Sequence, residues 1–445
     1  MKVRSMIRRS LAGMALGVAA SMTLPAGAAP NEQFFPLIGW RTGPLTPLGV
    51  NIAAGWIDYM DLLNKRDGGI NGVKLTWEEC ETAYKVDRAV ECYQRLLQSG
   101  PTGASTYNPI NTGAVYALLD RTTTDKVPIV TIGSGRTDTT DGRVFPYVFP
   151  LGTNYLSTNT VKIKFIGMQE GGMEKLKGKK IVNLHMDSAG GKETIPALDA
   201  QAKKYGFEIT HIAVAMPGSE QQSAWLEIRR IKPDWVILRE WGVAPAVALK
   251  TAEKTGFPLN RIVGVPFAGT EDDLVPAGAS AKGFYVVHPM PTGEFPVTQE
   301  IRKVLYGGGN KGNLQDMSRM GLIYYNMGLT YGIINTEAVR TAQKKFGNKP
   351  LTGEQIRWGL ENLNLDEKRL KEIGAWGLVQ TVRSSCMDHE GGGAAKVYQW
   401  DGAKLVQVSD WIMADKQITR PLIEESAAKY AKEKGITPRD CSKEN

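Results

Sequence analysis

The sequence predicts an α/β protein with two open parallel sheets, each covered by helices. Strand-like and helix-like segments alternate over residues 35–132, and the alternation restarts at residue 180 and continues to residue 266. Such alternation is typical of βαβ units, whose strands are parallel. The chain has 445 residues and 42% hydrophobic positions, which is enough for two or three domains. We therefore expect two lobes, separated near residues 147–155.

The first run supplies the elements of one sheet. An apolar strand over residues 35–40 ends at turn residues 41–44. Apolar side chains recur at helical spacing over 50–65, and Asp67-Gly68-Gly69 ends that helix. The same patterns predict strands over 73–77 and 128–132, and helices over 87–98 and 114–120.

The second run and the tail supply the remaining elements. We predict strands over 180–185, 208–214, 234–238 and 262–266, with helices over 194–205, 221–231 and 244–255. In the C-terminal part of the sequence, the same spacing predicts helices over 319–337, 353–360 and 421–434. Asp401-Gly402 stands between two short apolar segments, 396–400 and 404–408, which indicates a β-hairpin.

The N-terminus has the three parts of an export signal. Residues 2–9 are basic, residues 11–24 are apolar, and Ala26-Gly27-Ala28 is a small-residue cleavage motif. The apolar part is shorter than the roughly 20 residues that a membrane-spanning helix needs, which argues against the alternative of a membrane anchor. We expect a signal peptide over residues 1–28, cleaved after about Ala28, and a periplasmic mature protein.

Charge and composition argue against several function classes. Four of the basic residues behind the net charge of +8 lie in residues 1–28, and the rest form no basic stripe, so we expect no nucleic-acid partner. The four histidines are scattered, so we expect no metal centre and no cofactor. The glycine-rich segment 307–312 follows a helical pattern, whereas a dinucleotide-binding loop follows a strand. No catalytic motif is recognisable, so we expect no enzyme activity.

The four cysteines are expected to form two disulfides. Export places them in an oxidising compartment, where bridges form and persist. Pairing of neighbours gives Cys80–Cys92 and Cys386–Cys441, the simplest of the three possible connectivities. Four free thiols are the alternative.

Candidate ligand contacts come from the strand ends, because open α/β sheets bind ligands beyond the carboxyl ends of their parallel strands. Asn and Thr before the helix at 114–120 are good caps, and the helix start attracts a carboxylate. An aromatic side chain after the 234–238 strand can stack on a ligand. The candidates from this rule are Asn111, Thr112, Gly133, Ser134, Gly135, Arg136, Gly190, Glu240 and Trp241.

Several segments together resemble the branched-chain-amino-acid-binding family of periplasmic solute-binding proteins. The similar segments are Thr42-Gly43-Pro44 with Gly49, residues 55–72, the Cys80 segment running into residues 87–97, residues 128–133, and Tyr398-Gln399-Trp400. The resemblance implies a type I fold, with two open parallel-sheet lobes joined by a hinge of three crossovers. It places the crossovers near 151–155, 288–291 and 384–388. Lobe 1 would then comprise 29–153 plus 289–385, and lobe 2 would comprise 154–288 plus 386–445.

The resemblance also implies a function without catalysis. A small solute would be captured between the lobes and delivered to an ABC importer permease in the inner membrane, and we expect a monomer. The carboxylate of an amino acid would lie at Asn111, Thr112, Gly133, Ser134 and Gly135. Leu48 falls where an aromatic wall residue often stands.

The sequence differs from the family pattern at informative positions. Phe267 and its neighbours stand where an acid that pairs with the ligand ammonium is expected, although Glu240 could replace that acid. Gly190 stands where an aromatic lid is expected, and Arg136 and Arg239 would suit a carboxylate. The expected ligand is therefore an amino acid or a related carboxylate or amide. The alternatives are a secreted α/β hydrolase and a ligand sensor for a membrane signalling partner.

Overall fold

Strands and helices alternate along the chain and build two main sheets, beside a separate pair of very short antiparallel strands. The computed structural model describes residues 31–43, 45–308 and 311–443. The signal peptide expected over residues 1–28 lies outside the described residues. The strands are β1 Glu32–Gly39, β2 Lys74–Glu81, β3 Ile129–Thr131, β4 Val148–Pro150, β5 Lys180–Met186, β6 Glu208–Val214, β7 Trp235–Arg239, β8 Ile262–Gly264, β9 Tyr285–His288, β10 Asn364–Leu365, β11 Val382–Arg383, β12 Ala394–Trp400, β13 Leu405–Gln407 and β14 Ile412–Met413.

The helices cover these sheets and connect their strands. They are α1 Thr46–Asp67, α2 Val86–Leu96, α3 Thr112–Asp125, α4 Tyr155–Glu170, α5 Ala189–Lys192, α6 Ile195–Tyr205, α7 Gln222–Ile231, α8 Ala244–Lys254, α9 Glu271–Leu274, α10 Pro296–Leu305, α11 Ile323–Phe346, α12 Gly353–Glu361, α13 Glu367–Glu372 and α14 Lys416–Lys434. No helix in the described ranges combines the length and the apolar composition that crossing a bilayer requires.

The first sheet is parallel and is formed by the N-terminal strands. β1 pairs with β2 in the register Phe35↔Trp77, and β3 pairs with β4. Backbone hydrogen bonds tie the extended segment 105–107 between β1 and β3, through Ser105 N–H to Phe34 O at 3.1 Å and Val130 N–H to Tyr107 O at 2.8 Å. These strands therefore continue as one layer, on which α1 packs, and α11 packs against α1.

The second sheet has the strand order β13-β12-β9-β8-β7-β5-β6. β5 to β9 are parallel, and β12 pairs antiparallel with β9 and β13. The chain passes from the first sheet to the second after β4, returns after β9, and crosses again before β12. This topology confirms the expected α/β fold of two lobes joined by three crossovers.

The predicted elements are present, with ends that differ by several residues in places. The hairpin at Asp401-Gly402 is confirmed by the pairing of Trp400 with Leu405. Helix α11 runs on to Phe346 instead of ending at Glu337, because buried apolar residues continue its face. Helix α14 begins at Lys416 and contains Pro421, which had been expected at its start.

The buried helix α4 was not predicted from the sequence. Nearly every residue from Tyr155 to Gly167 is buried, including polar ones such as Asn159 and Lys162. A helix that is buried on all sides shows no polar stripe, so its sequence lacks the 3.6-residue alternation on which prediction depends. The short strands β4 and β9, three and four residues long, were also not predicted.

Both expected disulfides are present. Cys80 at the end of β2 is bonded to Cys92 in α2, and Cys386 is bonded to Cys441 near the C-terminus. The first bridge ties a helix to the strand that precedes it. The second bridge anchors the segment that follows α14 to the loop before β12.

Candidate ligand-binding site

A cavity of about 290 Å³ lies between elements of the two sheets. Residues that belong to the first-sheet part of the chain line one side of it: Leu45, Leu48, Tyr84, Val86, Ile110, Asn111, Thr112, Gly113 and Ser134. Residues from the second part line the other side: Tyr155, Ser188, Ala189, Gly190, Met216, Trp241 and Phe267. The cavity therefore occupies the position beyond the strand ends at which open α/β sheets bind ligands.

The structure brings most of the candidate residues together around this cavity. Its walls include Leu48, Asn111, Thr112, Ser134, Gly190, Trp241 and Phe267. Gly133, Gly135, Arg136 and Glu240 do not line it. The strand-end rule thus found both sides of the cavity but not which neighbouring side chains face it.

The first turn of helix α3 faces the cavity with hydrogen-bond donors. The side chain of Asn111 caps this helix by accepting a hydrogen bond from Ala114 N–H at 3.2 Å. Thr112 and Gly113 follow in the first turn, where backbone N–H groups have no acceptor within the helix. The helix dipole adds positive potential at this end. The arrangement suits a carboxylate.

Ser134 lies on a tight turn after β3. Its neighbours Gly133 and Gly135 have φ values of +65° and +95°, which a side chain would strain. They therefore shape the turn rather than contact the cavity. The Ser134 hydroxyl is buried and makes no hydrogen bond of normal length with the described residues, although the Tyr331 hydroxyl lies near it. A buried hydroxyl without a partner is costly, and a ligand oxygen would supply the missing partner.

The two sides of the cavity meet at Tyr155, Thr112 and Gly190. The Tyr155 hydroxyl lies 2.9 Å from Thr112 Oγ1. A Cβ atom built on Gly190 would lie 3.2 Å from Thr112 Oγ1 and 3.5 Å from the Tyr155 hydroxyl. The absence of a side chain at residue 190 therefore keeps open the space in front of these two hydroxyls.

The remaining walls are apolar. Trp241 and Phe267 come from the second-sheet side and pack against the hydrophobic cluster that contains Leu45 and Leu48. Trp241 Nε1 is buried and has no partner among the described residues. The cavity thus offers a flat aromatic surface and several donors.

No charged side chain lines the cavity: none of its sixteen described lining residues is Asp, Glu, Lys, Arg or His. Glu240 is fully buried and accepts a hydrogen bond from Gln221 Nε2 at 3.0 Å. Burial raises the pKa of Glu240 to about 8, although the Gln221 hydrogen bond opposes the rise, so the group is largely uncharged at neutral pH. It does not supply a carboxylate to the cavity.

Arg136 belongs to a different region. Its guanidinium forms two hydrogen bonds with the Asp138 carboxylate, at 2.6 and 2.8 Å, and stacks over the Tyr430 ring at 4.5 Å. It lines a separate cavity of about 550 Å³ between Tyr116 and helix α14. Its charge is therefore already paired and is directed away from the smaller cavity.

Sequence reasoning missed several lining residues. Tyr155 begins the unpredicted helix α4, and Met216 lies in a loop after β6. Tyr84 and Ile110 have positive φ values of 62° and 45°, in turns that no motif marks. A strand prediction at β4 would have pointed to Tyr155, since the residues after that strand end belong to the same edge.

Comparison with known proteins identifies the family. The model of the family described as "Periplasmic binding protein" matches residues 33–404. A solved protein from the Pseudomonas fluorescens group, described as an ABC transporter permease, is 48% identical, with a TM-score of 0.88 over 93% of this chain and 100% of its own. A comparison with curated proteins found no match.

More distant structures share the fold. A branched-chain amino acid ABC transporter protein from Thermus thermophilus, with bound valine, is 18% identical with a TM-score of 0.73, over 88% of this chain and 99% of its own. An ABC transporter solute-binding protein from R. palustris, in complex with benzoate, is 18% identical with a TM-score of 0.64, over 86% and 98%. The match of the family model over residues 33–404 shows that the chain belongs to the periplasmic binding protein family, and its fold is of type I.

Proposed function

We propose that the solute is an apolar monocarboxylate without an ammonium group, and that the protein delivers it to an inner-membrane ABC permease. One observation carries the proposal: the cavity combines hydrogen-bond donors at α3 and Ser134 with largely apolar walls and has no charged residue among its described lining residues. The donors, at the first turn of α3 and at Ser134, suit a carboxylate. The aromatic and aliphatic walls suit an apolar body.

An α-amino acid fits this cavity poorly. Its ammonium group would need an ionised carboxylate or several acceptors, because a buried unpaired charge is costly. No acid is among the lining residues that the structure describes, and Glu240 is hydrogen-bonded to Gln221 outside the cavity. We therefore replace the broader expectation of an amino acid with that of an aromatic or aliphatic acid.

The same residues favour binding over catalysis. Ser134 and Thr112 are the hydroxyls near the expected carboxylate, but no lining residue is a histidine, lysine or acid that could activate them. We propose that the protein is not an enzyme and acts as a periplasmic monomer. We also propose lobe 1 as 29–153 plus 289–385 and lobe 2 as 154–288 plus 386–445, with ligand binding favouring closure.

The test is a calorimetric and thermal-shift panel on the mature protein. It compares benzoate and hexanoate with benzamide, hexanamide, phenylalanine and leucine. We expect at least one acid to bind most tightly, and a ligand at about 100 times its Kd to add about 2.7 kcal/mol of stability. Tighter binding of leucine or phenylalanine than of both acids would overturn the proposed ligand class.

A matched pair of variants locates the site. Thr112→Val removes a hydroxyl at the proposed carboxylate, and we expect roughly tenfold weaker acid binding or more, since a hydrogen bond to a charged group contributes about 1.5–3 kcal/mol. Thr123→Val makes the same change at an exposed position of the same helix and should leave the affinity unchanged. Equal affinities for the two variants would exclude Thr112 from the site.

A further inference from the structure

A buried arginine lies directly behind the cavity wall. Arg239 ends strand β7, is 1% exposed, and does not itself line the cavity. Its Nε donates a hydrogen bond to the Gly190 carbonyl oxygen at 3.0 Å, and Nη2 donates to the same oxygen. Its guanidinium carbon lies 4.1 Å from the centre of the Tyr155 ring. Both residues that it contacts line the cavity.

The charge of Arg239 has no close counter-charge. Within the described part of the chain, it takes part in no ion pair within 4.0 Å. The acid that acts on it from farther away is Glu193, whose carboxylate accepts hydrogen bonds from Thr137 N–H and the Tyr116 hydroxyl. A guanidinium stays charged at all physiological pH values, and a buried charge acts over several ångströms because water does not screen it.

Arg239 changes what the cavity wall presents. Arg239 donates two hydrogen bonds to the Gly190 carbonyl oxygen. Without them, this partly negative oxygen would repel a carboxylate bound beside Gly190. The positive charge of Arg239 over the Tyr155 ring also favours the hydroxyl as a donor. Burial raises the pKa of Tyr155, and Arg239 opposes that rise, which is the direction expected for a hydroxyl that becomes a stronger donor.

We propose that Arg239 is a positioning residue that makes this cavity select an anionic head group over its neutral isostere without touching it. The inference rests on the proposed monocarboxylate ligand. It explains how a cavity without a charged lining residue discriminates charge. Arg239 acts through the Gly190 carbonyl and the Tyr155 hydroxyl, while α3 and Ser134 make the direct contacts.

The test measures the ratio of the amide Kd to the acid Kd. If Arg239 had a purely structural role, this ratio would not change when Arg239 is replaced. Isothermal titration gives the Kd values of benzoate and benzamide, or of hexanoate and hexanamide if those bind more tightly, for the parent, Arg239→Met and Arg239→Lys. In Arg239→Met we expect the preference for the acid over its amide to fall at least about tenfold, while the amide affinity stays within about threefold. Arg239→Lys keeps the charge and should retain most of the preference.

The controls separate the possible failures. Arg261→Met removes a charge that lies over Trp235 and pairs with Glu170, away from the cavity, and should leave the ratio unchanged. If Arg239→Met does not fold, Arg239→Gln, which retains a donor for Gly190, is held to the same criterion. An unchanged ratio in folded Arg239→Met, or in folded Arg239→Gln where Arg239→Met does not fold, overturns this inference alone. A parent protein that binds neither acid overturns the proposed function and this inference with it.

Discussion

Single residues determine the space and the polarity of the cavity. Glu240 and Trp241 are neighbours in the sequence, yet only Trp241 lines the cavity, because successive side chains at a strand end project to opposite sides. The strand-end rule found this pair, but no sequence signal stated which of the two faces the ligand. Gly190 contributes space: because it has no side chain, the region in front of the Thr112 and Tyr155 hydroxyls stays open.

The first prediction concerns Gly190. In Gly190→Ala, the added methyl group would lie 3.2 Å from Thr112 Oγ1, in the space proposed for the carboxylate. We expect acid affinity to fall at least roughly tenfold, because the ligand must displace or avoid the methyl group. Calorimetry measures this change, and the melting temperature without ligand checks that the fold is intact. Undiminished affinity would show that the carboxylate lies elsewhere.

A second prediction concerns the buried carboxylate of Glu361, remote from the cavity. Its side chain is 4% exposed and contacts Arg439 Nη1 at 2.7 Å, Arg357 Nη1 at 3.0 Å and His389 Nε2 at 3.2 Å. Burial alone would raise the pKa of Glu361, but the hydrogen bonds from His389 and Arg439, together with nearby positive charge, lower it to about 2. A folded-state pKa below the usual 4.5 contributes stability above about pH 4.5 that is lost as the pH falls towards 2.

The expected magnitude is about 3 kcal/mol in the free energy of unfolding. Glu361→Gln should therefore be less stable than the parent near neutral pH, and the difference should shrink as the pH falls to about 2.5. Denaturant unfolding at both pH values measures it. Glu354→Gln, on the exposed side of the same helix, is the matched control and should show little effect. A difference that persists unchanged at low pH would contradict the assignment.

Packing of whole elements explains why some helices were predictable and others were not. α1 has apolar residues at helical spacing, and one glycine on each of the two helices lets α1 and α11 approach closely. A Cβ atom on Gly328 would lie 2.1 Å from the Ile52 carbonyl oxygen, and one on Gly55 would lie 2.1 Å from the Tyr325 carbonyl oxygen. The hydrophobic pattern of the sequence does not reveal either of these close approaches between the two helix backbones. α4 had no detectable pattern because it is buried on all sides.

The third prediction tests this helix contact. Gly328→Ala should lower the free energy of unfolding by about 1–3 kcal/mol, because the backbones of α1 and α11 must separate. Gly167→Ala is the control: its methyl group meets the Met173 sulfur, on a flexible side chain that can move. Denaturant unfolding of both variants gives the comparison. Equal losses would show that the α1–α11 contact is no tighter than an ordinary one.

At the scale of the whole molecule, the sequence predicted the architecture better than the site. Alternating strands and helices were sufficient to predict two sheets dominated by parallel strands, and the expected export was sufficient to predict the two disulfides. Most of the candidate residues lie at the edge of both sheets that the smaller cavity occupies. Tyr155 and Met216 were missed because they come from an unpredicted helix and an irregular loop. Arg136 was included because its placement over Tyr430 of α14, at the larger cavity, depends on tertiary structure.

The most direct test of the central claim is a crystal structure of the mature protein with the tightest-binding monocarboxylate of the panel. The account predicts the ligand between the two lobes, with carboxylate oxygens within hydrogen-bonding distance of the first turn of α3 and of Ser134 Oγ, and with the apolar body against Trp241. A carboxylate that faces Trp241 instead of α3, or a ligand seated in the cavity beside Arg136, would contradict it.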